Sequence, residues 1–240
     1  MDTPDTPSTA RIIDHWLGGS HHHPVDVAAA GALEAAYPPG PAVFRDLRRF
    51  IGRAVGRLHA LGIRDYLVFG AGIPTCGNVH EHAPDSRVLY LDIDAENIAL
   101  GREVVAGVPG VEYAFGDLTD LSTVTLPDWN GSPVGVAVFG LPVFFDDDTL
   151  RRALADLHAA VPAGSHLAFD FDSRLLTDHP QVLAMMGEPF HMREPAEFAA
   201  LLGPWTLTAD GIRPAAAWGL ADGESPGAVP TNFYGGLASA

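Results

Sequence analysis

The sequence contains no lysine: all 14 basic residues among its 240 are arginine, against 30 aspartates and glutamates, for a formal net charge of -16. Without lysine there is no Schiff-base nucleophile and no Walker-type phosphate lysine. So acidic a chain repels nucleic-acid phosphates and anionic lipid, so neither nucleic acid nor membrane is expected as a partner. The single cysteine, Cys76, excludes an internal disulfide and any cysteine-pair metal site. Beside a glycine-rich turn it suits packing better than reactivity. No apolar run approaches the roughly 20 residues of a membrane span. The opening MDTPDTPSTAR lacks a basic-then-apolar signal pattern, and a cytoplasmic protein is expected. No metal site is expected either: His21, His22 and His23 are consecutive, and consecutive residues rarely aim three ligands at one point.

What is present is a chain 47% hydrophobic and long enough for one α/β domain over residues 1–240. Residues 1–8 are expected to be disordered. Helices are expected over 9–17, 25–36 and 41–61, making residues 1–60 a helical N-terminal cover. In the third helix Val43, Phe44, Leu47, Phe50, Ile51, Val55, Leu58 and Leu61 recur at helical spacing, with Arg45, Arg48, Arg49 and Arg53 largely off that stripe. Strands follow at Asp65–Phe69, Arg87–Leu91, Val111–Ala114, Val134–Phe139 and His166–Phe171, with helices near 95–105 and 147–160 between them. Continuous apolar strands separated by helices predict a Rossmann-like doubly wound sheet, mostly parallel. Beyond residue 180 the pattern weakens. A helix at 195–202, a segment at 205–209, a loop at 219–230 and a last antiparallel strand within 228–237 are expected.

Residues 66–82 read YLVFGAGIPTCGNVHEH, a buried strand running into a glycine turn. Gly70 and Gly72 leave room for a ligand against the backbone. A dinucleotide fingerprint would place a third glycine where Thr75 stands and aim backbone N–H groups at pyrophosphate, whereas Pro74 has no N–H to offer. S-adenosylmethionine, which carries no phosphate, fits better. Asp92 stands at the end of the second strand, placed to accept from the ribose hydroxyls. Asp117 follows the third strand and suits the adenine amino group. Asp92 and Asp94 also suit capping of the next helix, and Asp117 suits a turn.

The stretch GAGIPTCGNVHEHAPDSRVLYLDID, with RIIDHWLGGSHHHPVD before it and VAVFGLPVFFDDD and PAGSHLAFDF after it, resembles a bacterial S-adenosylmethionine-dependent methyltransferase family common in actinomycetes and long carried as a domain of unknown function. The resemblance runs to about residue 172, and the closing FYGGLA shares it. It implies a class I methyltransferase fold, S-adenosyl-L-methionine as cofactor, and a small-molecule substrate, expected in specialised metabolism. The implied cofactor shell is Gly70, Ala71 and Gly72 in the turn, Asn78 and His80 at the start of the crossover helix, Asp92 and Ile93, Asp117 and Leu118, and Leu141 after the fourth strand. Arg11 is a candidate for the cofactor carboxylate by charge. The chain departs from the family pattern at Val68, where the family tends to be acidic, at Pro142, where a histidine is common, at Ser20–His23, and at Asp170 and Phe171.

Methyl transfer is an in-line displacement. Orientation alone supplies about 7–11 kcal/mol, against roughly 3–5 kcal/mol from a general base. His21, His22 and Asp170 are the candidate catalytic groups. Asp170 and Asp172 alternate about Phe171 and so point to one side of their strand. The changed residues leave two other outcomes open: aminocarboxypropyl transfer or cyclisation releasing methylthioadenosine, and a cofactor-binding protein without catalysis. A nicotinamide oxidoreductase is opposed by Pro74.

Overall fold

The computed structural model describes residues 5–187, 189–221 and 223–240. Of the expected disordered start, residues 1–4 lie outside the described residues, as does Asp222 of the expected loop.

Three helices come first: α1 (Thr9–Trp16), α2 (Pro24–Ala36) and α3 (Gly40–Ala60). Then alternate β1 (Asp65–Phe69), α4 (Val79–His82), β2 (Arg87–Asp92), α5 (Ala95–Val104), β3 (Val111–Phe115), β4 (Val134–Val138), α6 (Asp147–Ala160) and β5 (His166–Asp172). The chain closes with α7 (Pro180–Met186), α8 (Pro195–Leu201), β6 (Thr206–Leu207), β7 (Arg213–Pro214) and β8 (Phe233–Ser239). The sheet order is β3-β2-β1-β4-β5-β8-β6, with β7 also paired to β8. Strands β1 to β5 run parallel; β8 lies antiparallel to β5. Most strand ends fall within a residue of expectation. Within the expected segment at 205–209 only Thr206–Leu207 forms a strand, and α7 and β7 were not legible in the pattern.

The central strands are buried on both sides, as their unbroken apolar runs require: all five residues of β1 and of β4 are buried. One face packs on α3 through Phe50, Ile51, Ala54 and Leu58; the other packs on α6 and α8 through Leu150, Leu154, Leu157 and Phe198. Each fully buried aromatic or leucine contributes about 1.5–3 kcal/mol. Gly235 matters here: a Cβ on it would enter the Phe50 ring, so glycine lets α3 lie close to β8. Asp94 and Asp146 cap α5 and α6 by accepting backbone N–H groups.

The strand order reverses between β1 and β4, and a crevice opens there at the carboxyl ends of the strands. The helical cover is pinned over it. Arg11 of α1 is 2% exposed and donates to Asp26 of α2 at 2.8 Å and to Glu96 of α5. Burial alone would raise the Asp26 carboxyl; the Arg11 guanidinium and the N–H groups of His23 and Ser8 outweigh it and hold the pKa below the ordinary value.

Candidate functional site

The turn after β1 takes its shape from two left-handed glycines, Gly70 at φ +62° and Gly72 at φ +57°. A side chain at Gly70 would collide with Leu141, and a Cβ at Gly72 would sit 3.5 Å from Ala10 of the cover. The turn is braced at three points. Asp92 accepts the Gly72 N–H at 2.9 Å, the Tyr113 hydroxyl donates to the Gly72 carbonyl at 2.7 Å, and Thr75 donates to Asp14 of α1 at 2.8 Å. The result is a preformed, glycine-walled shelf.

One cavity of about 530 Å³ runs along the carboxyl ends of the strands. Its first end holds the shelf, Asp92, Ile93, Asp117 and Leu118; its middle holds Asn78, Arg48 and Leu141; its far end holds Asp172 and several phenylalanines. Asp94 caps α5 while Asp92 faces the cavity, so the two carboxylates divide capping from lining. Asp117 lines the cavity and also accepts from the Thr119 amide and hydroxyl, so it is a turn residue as well. Ile93 is 63% exposed, an apolar side chain left open at the cavity edge.

Five expected site residues stand off the cavity lining: Arg11, His21, His22 and His80, and Asp170 of β5. Arg11 does not line the cavity: Asp26, Glu96 and the Thr6 carbonyl take up its guanidinium. Its charge is structural because two carboxylates from other elements close around it. His21 and His22 do not line it either. They close on Asp14, whose buried carboxylate accepts the His21 amide at 2.8 Å and contacts His22 Nδ1 at 2.9 Å. This clamp uses Gly19, where a side chain would strike Asp14. His80 turns to the Tyr90 hydroxyl, 2.8 Å from its Nδ1, and burial pulls its pKa down.

Arg48 is the cavity's cation. It donates to Asn78 at 2.7 Å and stands with Phe44, Leu47 and Ile51 on the cavity wall. Positions 44, 47, 48 and 51 are i, i+3, i+4 and i+7, so the helical stripe that defines the core also contains this arginine. That spacing was the signal for it. Burial pulls Arg48 below the ordinary arginine value, opposed by the charges of Tyr90, Glu81, Asp170 and Cys76.

At the end of β5 the two aspartates face the α3 side together. Asp170 is fully buried beneath the cavity wall; its Oδ1 accepts the Gly140 amide at 2.8 Å and its Oδ2 has no partner among the described residues. Burial pushes it up to about 7, against the Gly140 bond and Arg48. Asp172 is half-buried and lines the cavity; burial, then the Asp170 charge, pushes it up to about 8. Asp170 therefore sits behind Asp172 rather than in the cavity, and Asp172 is the carboxylate a bound molecule would meet.

The S-adenosyl methyltransferase family model matches residues 1–240. The chain belongs to that family. Among solved structures, this methyltransferase is similar to a DUF574 family protein from Streptomyces avermitilis, with 27% identity, 98% of each chain covered and a TM-score of 0.83. It is similar to a candidate methyltransferase from Thermobifida fusca, with 25% identity, 98% of this chain and 95% of that one covered, and a TM-score of 0.85. It shares its fold with the N-methyltransferase NodS from Bradyrhizobium japonicum, solved with S-adenosyl-L-homocysteine, at 14% identity over 82% of this chain and 87% of that one, with a TM-score of 0.57. No curated protein matches the sequence. The fold is the class I methyltransferase fold, and the cofactor of the family is S-adenosylmethionine. The shelf suits it: the glycines give close backbone approach, and the Asp92 and Asp117 carboxylates line the cavity as acceptors. No helix among the described residues is long and apolar enough to cross a membrane.

Proposed function

We propose that this methyltransferase acts on a small molecule, with the cofactor along the β1–β3 end of the cavity and the acceptor in the aromatic end beside β4 and β5. When bound, the cofactor supplies an electrophilic methyl on a sulfonium. In this reading Asp92 accepts from the ribose hydroxyls, Ile93 and Leu118 flank the adenine, and Asp117 accepts from its amino group. Arg48, held by Asn78, takes the role first expected of Arg11 and meets the cofactor carboxylate. The carrying observation is the continuity of one 530 Å³ cavity from Asp92 to Asp172, a volume in the range of small-molecule sites. Phe44, Phe144 and Phe145 line the cavity and give its acceptor end an apolar wall.

Orientation on this rigid shelf carries most of the rate, and a base at the far end adds the smaller share. The test is mass analysis of the nucleoside left after incubating the protein with S-adenosylmethionine and a pool of small amines, phenols and acids. Methyl transfer leaves S-adenosylhomocysteine. Accumulation of methylthioadenosine instead would show attack at another carbon of the sulfonium and would refute the reading.

A further inference from the structure

The acceptor end of the cavity holds a carboxyl pair with no ion-pair partner among the described residues, and burial holds its protons on. Asp172 lines it, and no side chain among the described residues donates to the Asp172 carboxylate. Directly behind it, Asp170 Oδ2 is buried without a partner. Two arginines stand near this corner, Arg48 through its charge on Asp170 and Arg193 through its backbone N–H on the Asp172 carbonyl, and neither guanidinium donates to the two carboxylates. Arg48 donates to Asn78. Arg193, 3% exposed, is spent on the carbonyls of Pro142, His191 and Phe145 and on Asp147. Buried carboxylates are normally paired or coordinate a cation. No group of His, Cys, Asp and Glu among the described residues is arranged to hold a metal ion.

The surroundings say what a cation bound here would carry. Asp172 is paired across the sheet with Phe233, so their side chains share a face. Phe233 meets Phe44 edge-on at a centroid separation of 5.7 Å, and Phe144 meets Phe190 at 5.6 Å. Aromatic faces favour an organic cation and its apolar body.

We infer that the acceptor is an amine on an aromatic or apolar body, with its nitrogen at the Asp172 carboxylate and its body among Phe44, Phe144 and Phe233. This rests on the function proposed above and adds the substrate class. The ammonium form binds as the counter-ion of Asp172, whose resting proton is released to water, and then passes one of its own protons to the carboxylate. The nitrogen lone pair then forms the N–C bond to the methyl as the C–S bond breaks, and that electron pair stays on sulfur. The product leaves as an N-methylammonium, and the proton on Asp172 goes to water. Asp172 is the catalytic group. Asp170 is a positioning residue: its charge, anchored by the Gly140 N–H, makes Asp172 a stronger proton acceptor. The groups facing the pair are Arg48 from α3, the Gly140 amide from the loop after β4, and uncharged Phe233 and Gly235 from β8.

The test titrates the S-adenosylhomocysteine-loaded protein by calorimetry with 2-phenylethylamine, 2-phenylethanol and 3-phenylpropionate. Loading is measured first; no binding of S-adenosylhomocysteine would sink the cofactor reading and this proposal with it. The amine is expected to bind about 30-fold or more tightly than the other two. At pH 7 its binding should release a proton, read from two buffers of different ionisation enthalpy. Asp172→Asn should bring the amine down to the level of the alcohol and abolish proton release, while S-adenosylhomocysteine affinity stays within about threefold. The wild-type comparison of the three probes stands whether or not the variant folds. Equal binding of the alcohol or the acid, no binding of any probe at millimolar concentration, or loss of S-adenosylhomocysteine rather than amine in Asp172→Asn would each overturn the assignment. The last outcome would give the pair to the cofactor's own amino group.

Discussion

The Gly72 amide donates to the Asp92 carboxylate across 2.9 Å, tying the turn after β1 to the end of β2. The other Asp92 oxygen accepts the Asp94 amide at 2.9 Å, so one side chain shapes the shelf and the start of α5 together. Asp92→Ala should therefore weaken S-adenosylmethionine binding by at least about tenfold, or ~1.4 kcal/mol, through the lost ribose acceptor and the loosened turn. Asp92→Asn, which keeps one acceptor oxygen, should fall between. Titration calorimetry of both variants reads the order.

The buried Arg11–Asp26 pair holds the cover on the site. Arg11→Ala leaves Asp26 as an uncompensated buried carboxylate and should cost about 3–5 kcal/mol of stability. Glu96→Gln, at the 43% exposed partner, should change stability by less than about 1 kcal/mol. Denaturant melts of the two variants test the contrast. Equal effects would show that the inner pair is not the anchor.

Asp170 makes stability fall with rising pH. Its folded pKa, about 7, lies above the 3.8 of an ordinary aspartate, so the folded chain binds the proton more tightly than the unfolded one. The folded state is favoured below the ordinary value. That advantage is lost as pH rises from about 4 through 7, to an upper limit on the order of 4 kcal/mol. Asp170→Asn should flatten the decline between pH 5 and 8 relative to wild type. Thermal melts across that interval check it, and an unchanged slope would place the proton elsewhere.

The sheet was legible because β1 and β4 are apolar at every position but for Asp65 and Gly135, which only a strand covered on both faces tolerates. The glycine turn, Asp92 and Asp117 were legible because the ligand's needs fall at fixed offsets after successive strands. Arginines and histidines were not. Arg11 finds Glu96 85 residues away, and nothing local announces that partner. His21 and His22 read as free imidazoles until the fold brings Asp14 against them. Arg48 read as lying off the apolar stripe because its charge outweighed its position beside Leu47. The alternation of Asp170 and Asp172 gave their shared face, but only the packing of α3 and the Gly140 loop shows which one is sealed and which meets the cavity.

The placement of the cofactor is tested most directly by titrating wild type and Gly72→Val with S-adenosylmethionine, with NAD run in parallel. Valine at φ +57° is strained and would project toward Ala10 across the shelf. One S-adenosylmethionine is expected to bind per wild-type chain, with binding lost in a folded Gly72→Val and no binding of NAD. Wild-type affinity in the variant, or preference for NAD, would contradict it.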